Sequence, residues 1–212
     1  MGSLSSISPN IVPLIQDYFP NIQIQNNYFG GTTYLFSKYN GETTKNISYL
    51  NFTSVNSKYW SLIDTTRIKS ISDSTKKNIV YSMNNEIEWG PTFSCPLNEI
   101  INNKNNFIDI SAKVKAKEDI DEVILVASLE SNGKNLYWGG TEFREFILTQ
   151  HENSDWITVH HSIKLSDIYL KHNDILLKIF IWNKNRKHFI IEDIKICLRN
   201  GNPIIYGLNE KI

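Results

Sequence analysis

Cysteine is scarce in this chain: Cys95 and Cys197 are the only two in 212 residues. Two thiolates build neither a disulfide framework nor a thiolate zinc site. One bond between them would close a long loop; two buried thiols is the plainer expectation. No apolar run approaches the roughly 20 residues that cross a bilayer, and no basic helix offers a membrane-surface anchor. A surplus of positive charge is also missing. Lys+Arg 22 against Asp+Glu 22 leaves formal net charge +0, which argues against nucleic acid, because phosphate contacts need cations. His151, His160, His161, His172 and His188 lack any metal-binding spacing. There is no nucleophile-elbow motif, no phosphate-cradling glycine loop, no internal repeat and no long helical pattern.

What the chain does have is a hydrophobic fraction of 41% and an aromatic fraction of 12%, ample for a core. It also has many short strand-like runs. The densest are 175–182 and 188–197, which read as a hairpin around a polar turn over 183–187. Apolar residues on both faces of the second run predict cover on two sides. Over 107–116 the alternation is cleanest: Ile108, Ile110, Ala112 and Val114 on one face, Asp109, Ser111, Lys113 and Lys115 on the other. A run over 122–131 leads into Asn132-Gly133, the strongest hairpin turn here, and then 134–138. Gly139-Gly140 reads as the end of that strand, and 142–149 as a short strand or one helical turn. Further strands are expected over 32–36, 47–54, 58–68, 78–83, 86–89 and 156–165, with 70–77 as a polar loop. Residues 1–31 carry Pro9, Pro13 and Pro20 and read as an irregular arm or linker with two helical turns over 11–18. The β-sandwich domain is expected over 32–200 and an irregular tail over 201–212. The fold class is therefore all-β: a two-sheet antiparallel sandwich of jelly-roll type with an N-terminal arm.

The succession 101–115, 123–140, 156–167 and 174–196 resembles the jelly-roll domains found among carbohydrate-binding modules and as accessory domains of bacterial cell-envelope and secreted proteins. Ile190-Ile191-Glu192-Asp193-Ile194-Lys195-Ile196 matches the closing strand of such domains. Tyr49-Leu50-Asn51-Phe52-Thr53 stands where they have an opening Asn-Phe-Glu strand, with Thr53 in place of the Glu. The resemblance covers residues 47–198. It implies ligand binding without chemistry, often to glycans, sometimes with a structural calcium. Glu192 and Asp193 are then the best-placed metal ligands, although Thr53 removes one ligand the family would supply, and calcium needs six to eight oxygens.

A sugar ring has an apolar C–H face that an exposed indole can cover, while nearby polar groups bond its hydroxyls. Trp138, Tyr137, Trp60 and Trp89 are the stacking candidates, with Arg144 and Asn135 as hydroxyl partners. Tyr137 and Trp138 should point to opposite faces of one strand, so one is core. Trp182 adjoins the 183–187 turn and reads as a cap on the core edge. Glu86 with Glu88, and Glu142 with Glu145, are near carboxyl pairs. Glycosidases hold theirs about 5–5.5 or 6.5–9.5 Å apart, and pairs on one strand face are usually solvated.

The expected function is a non-catalytic glycan- or polysaccharide-binding module, an accessory domain of a larger extracytoplasmic protein: periplasmic, surface-bound or secreted. Met1-Gly2-Ser3 reads as an expression remnant, and an exported natural protein would have lost its signal segment ahead of it. The alternatives are a structural or protein-interaction domain with no small ligand, whose tryptophans would be buried, and a polysaccharide-degrading enzyme.

Overall fold

The computed structural model describes residues 21–28, 31–37, 44–53, 58–73, 76–101, 106–116, 120–147, 156–168, 170 and 174–200. They form β1 (Asn21–Tyr28), β2 (Gly31–Ser37), β3 (Thr44–Leu50), β4 (Trp60–Ser61), β5 (Ile68–Asp73), β6 (Lys76–Met83) and β7 (Trp89–Pro96). These are followed by β8 (Asn106–Ala116), β9 (Val123–Ser131), β10 (Lys134–Glu142), the short helix α1 (Phe143–Ile147), β11 (Ile157–Lys164), β12 (Leu176–Asn183) and β13 (Phe189–Asn200). No described helix is long and apolar enough to cross a membrane.

Two antiparallel sheets make the sandwich. The front sheet has the order β10-β9-β12-β7-β4. The back sheet has the order β11-β8-β13-β6-β5, with β3 alongside the later part of β13. From β6 to β13 the pairing is nested: β9 with β10 in the front sheet, β8 with β11 in the back, β7 with β12 in the front, β6 with β13 in the back. A long hairpin rolled up so that successive pairs alternate between sheets is a jelly roll. The innermost turn is the expected one, with Asn132 at φ 50° and Gly133 at φ 73°, the left-handed pair a two-residue hairpin loop requires.

The runs 175–182 and 188–197 are not a hairpin. β12 lies in the front sheet between β7 and β9, and β13 in the back sheet. Asn183, fully buried, makes the corner between them. Its amide Nδ2 donates to the carbonyls of Asn84 (3.3 Å), Ile87 (3.1 Å) and Lys187 (3.0 Å), and its Oδ1 accepts from the Lys187 N–H at 2.8 Å. One side chain thus satisfies backbone groups of both sheet-crossing loops. The apolar residues on both apparent faces of β13 also have another cause. Its register against β8 slips between Ile191 and Asp193. Phe189 and Ile191 are buried before that bulge, and Ile194, Ile196 and Leu198 after it, so one inward set changes phase.

Other differences are local. β7 runs through Gly90 and Pro91, which read as a stop; its register with β12 skips them, and a proline sits where no ladder donor is needed. The expected loop over 70–77 is the β5–β6 hairpin, polar because Lys69, Ser70, Ser72 and Lys77 face solvent at a sheet edge. β10 continues through Gly139-Gly140 to Glu142 before the single helical turn of α1. Within the expected irregular arm, residues 21–28 are strand β1, paired with β2; the helical turns over 11–18 and the tail over 201–212 lie outside the described residues. Both cysteines are free thiols, Cys95 buried and Cys197 partly exposed.

On the outer side of the back sheet, the Arg199 guanidinium lies 4.1 Å from the Phe107 ring centroid and is nearly buried. It forks onto Asp109, with Nε to Oδ2 2.7 Å and Nη2 to Oδ1 3.1 Å, while Ser162 Oγ donates to the same carboxylate at 2.7 Å. Removing one partner of a buried ion pair leaves the other charge uncompensated. Asp109→Ala should therefore cost about 2 kcal/mol, less than a fully buried pair because the carboxylate is partly wet; urea denaturation would measure it.

Candidate functional site

The alternation of the front-sheet strands sorts their side chains cleanly. On β12, Leu177, Ile179, Ile181 and Asn183 are buried, while Leu176, Lys178, Phe180 and Trp182 are on the outer face. Register then builds that face in rows. Trp182 stands opposite Trp89 of β7 and Ile124 of β9; Phe180 opposite Thr92 and Val126; Lys178 opposite Ser94 and Ser128. Across β9, Ser128 faces Trp138 of β10, and Glu130 faces Asn135.

Aromatic surface fills one corner of this face. The Trp89 and Trp182 rings are stacked, 5.4 Å between centroids and 7° apart in plane, and Phe180 meets Trp89 edge-on at 5.5 Å. Trp182 Nε1 donates to Glu88 Oε1 at 3.3 Å, and Arg186 Nη2 reaches Glu88 Oε2 at 3.4 Å. That carboxylate fixes the indole's rotation. Trp89 keeps 46% of its surface exposed and Trp138 52%, unusual for residues whose burial is so favourable. From strand geometry Trp138 and Trp182 are four residues apart along the strands and two strands across, about 16 Å. Phe180 and Val126 form the row between them, and a polar strip flanks Trp138: Lys178 Nζ pairs with Glu130 Oε2 at 2.6 Å, and Ser128 Oγ donates to Glu130 Oε1 at 3.2 Å. Flat apolar platforms with fixed donors and acceptors beside them match the two surfaces of a sugar, C–H faces and hydroxyl edges.

The sequence candidates divide accordingly. Trp138, Trp89 and Asn135 share this outer face. Trp60 does not: it is buried in the core, edge-on to Phe93 at 5.4 Å, with its Nε1 donating to Ser48 Oγ at 2.8 Å, so no platform remains for a ligand. Tyr137 is turned to the opposite face of β10, half-buried, its hydroxyl 3.0 Å from His161 Nε2. Arg144 is exposed on α1, off the sheet, where its charge acts on Asp121. Trp182 belongs to the platform instead of capping the core. Phe180, Lys178 and Glu130 complete the face without a role read from the sequence, and Glu88, read there only as half of a carboxyl pair, joins them; the Leu176–Trp182 alternation is the sequence signal for Lys178 and Phe180.

The other candidates are engaged elsewhere. Glu192 is ion-paired with Lys113, and Asp193 accepts from the Tyr49 hydroxyl at 3.3 Å. Burial pushes the Asp193 carboxyl up, opposed by that hydrogen bond. Among the described residues no three His, Cys, Asp or Glu side chains converge. Glu86 is held by Arg67 at 2.7 Å.

His160 and His161 point to opposite sides of β11, and burial lowers the pKa of both, with Asp109 partly countering it at His160. A depressed histidine binds its proton more weakly folded than unfolded. Stability should then fall as pH drops below about 6.5, where the unfolded chain takes up protons the native one refuses. Melting temperature followed from pH 7.5 to 5 should show this decline, and the double variant His160→Gln/His161→Gln should flatten it.

No family model matches the chain, and no curated protein does. Solved structures similar to it include the CBM22-1 xylan-binding domain of Paenibacillus barcinonensis Xyn10C, 14% identical over 77% of this chain and 100% of that one, TM-score 0.43. They also include the carbohydrate-binding module CBM6cm-2 of Cellvibrio mixtus lichenase 5A, 12% identical over 74% and 99%, TM-score 0.34. A third is a cyclase from Fischerella sp. TAU, 6% identical over 75% and 99%, TM-score 0.39.

Proposed function

We propose that this domain binds a carbohydrate chain across the outer face of its front sheet and performs no reaction on it. One observation carries the reading: the stacked Trp89–Trp182 pair and the half-exposed Trp138 share one sheet face, with the Lys178–Glu130 pair beside Trp138. The span of about 16 Å suits several linked sugars more than one. In support of a binding role, Glu86 and Glu88, the pair nearest the stacked tryptophans in sequence, are each tied to an arginine. In this reading the domain serves as an accessory module of a larger protein acting outside the cytoplasm, where polysaccharides are met.

Affinity electrophoresis and calorimetry against a panel of soluble polysaccharides test it. Saturable binding with quenching of tryptophan fluorescence is expected. Absence of binding to every glycan at millimolar sugar, with the tryptophans unperturbed, would leave the face to a protein partner.

A further inference from the structure

We propose that His161 is a positioning residue for the ligand face: its ring bolts edge strand β10, and Trp138 with it, to β11 of the opposite sheet. The inference rests on Trp138 being part of the ligand platform. β10 is an end strand of the front sheet in the described strand order, paired with β9. An end strand frays more readily than an interior one.

Across the gap between the sheets, His161 supplies what that ladder lacks. Its Nε2 lies 3.0 Å from the Tyr137 hydroxyl and its Nδ1 2.9 Å from Thr141 Oγ1. These two residues bracket Trp138 on β10, one immediately before it and one three residues after. A neutral imidazole has one donor and one acceptor, and each hydroxyl can play either role, so both contacts are satisfied in either tautomer. Gly139 makes the arrangement fit. A Cβ there would stand 2.2 Å from the Tyr137 hydroxyl oxygen and 3.2 Å from His161 Nε2. The phenol therefore folds back over the Gly139 backbone to reach the ring, a path any side chain would block.

The surroundings isolate the bolt. Behind Tyr137, Gly139 and Thr141 the β9 partners are Leu129, Ala127 and Leu125; the β8 partner of His161 is Ile110. Among the described side chains of α1, Phe143 and Phe146 are buried and Arg144 is exposed. Apart from Tyr137, none of these inward groups ionises, and burial alone acts on the ring's protonation. Protonation places an unpaired charge between the sheets, so acid should loosen the bolt as the His161 side chain titrates.

Hydrogen–deuterium exchange and glycan affinity, measured together on the full chain, decide it. His161→Leu should speed exchange along Tyr137–Thr141 and weaken binding roughly fivefold, the worth of two modest hydrogen bonds. His161→Gln, with one donor and one acceptor on its amide, should restore both. Tyr137→Phe, which keeps the core volume, should give part of the loss. In the wild type, β10 protection, corrected for the intrinsic pH dependence of amide exchange, should fall on acidification towards pH 5, and in His161→Gln it should not. Unchanged β10 exchange in His161→Leu, or faster exchange with unchanged affinity, would overturn the proposal. A wild type that binds no glycan would sink the platform reading instead, with the exchange data still reporting on the bolt.

Discussion

Replacing Trp89 by alanine is expected to weaken polysaccharide binding by roughly thirtyfold, about 2 kcal/mol, as for a central aromatic anchor. The loss has two parts. The exposed ring of Trp89 is itself platform, and its face supports Trp182 at 5.4 Å and Phe180 at 5.5 Å. Removing it frees both neighbours to move, so a ligand must then order them on binding. Folding should suffer much less, about 1 kcal/mol, because nearly half of the ring is already in water. Calorimetric titration paired with a melting curve separates the two quantities. Trp60→Phe is the matched control: a buried indole on the other side of the same sheet, expected to change stability and leave affinity alone. Equal affinity of Trp89→Ala and wild type would exclude the corner as a contact surface.

The second large effect is on stability. Asn183→Ala should cost about 3 kcal/mol, because buried carbonyls of Asn84, Ile87 and Lys187 and the Lys187 N–H all lose their partner where water has little access. For a domain of this size that is a fall of roughly 6–12 °C in melting temperature. Asn183→Asp should be nearly as harmful, since a carboxylate cannot donate to three carbonyls and would be buried without a cation. A melting temperature within 2 °C of wild type, about a third of the expected cost at most, would mean that the corner is held largely by its backbone.

These two residues also mark what sequence reasoning can reach. The innermost turn, the one-wet-face alternation of β8 and the opposite orientation of Tyr137 and Trp138 are consequences of nearest-neighbour chemistry, and all were legible. Trp60 was misplaced because its fate depends on Phe93, which sits on a strand hidden by Pro91 and Pro96. Trp182 was assigned by its closeness to a polar turn, when its phase with Lys178 already put it on the wet face. Lys178 and Glu130 lie far apart in the chain and become a pair only through strand register. Asn183 looked like one asparagine among many; its role exists only once two loops from opposite sheets meet around it.

The nested pairing has a consequence for biosynthesis. On the ribosome the chain emerges from its N-terminal end. β9 and β10 can zip together as soon as both are out, but β8 then waits for β11, and β7 for β12. The last of the described strands to appear, β13, is the middle strand of the back sheet, contacted by β3, β6 and β8. Until it is released those three have nothing to pair with at the centre, so the nascent polypeptide carries open sheet edges until β13 has left the ribosome.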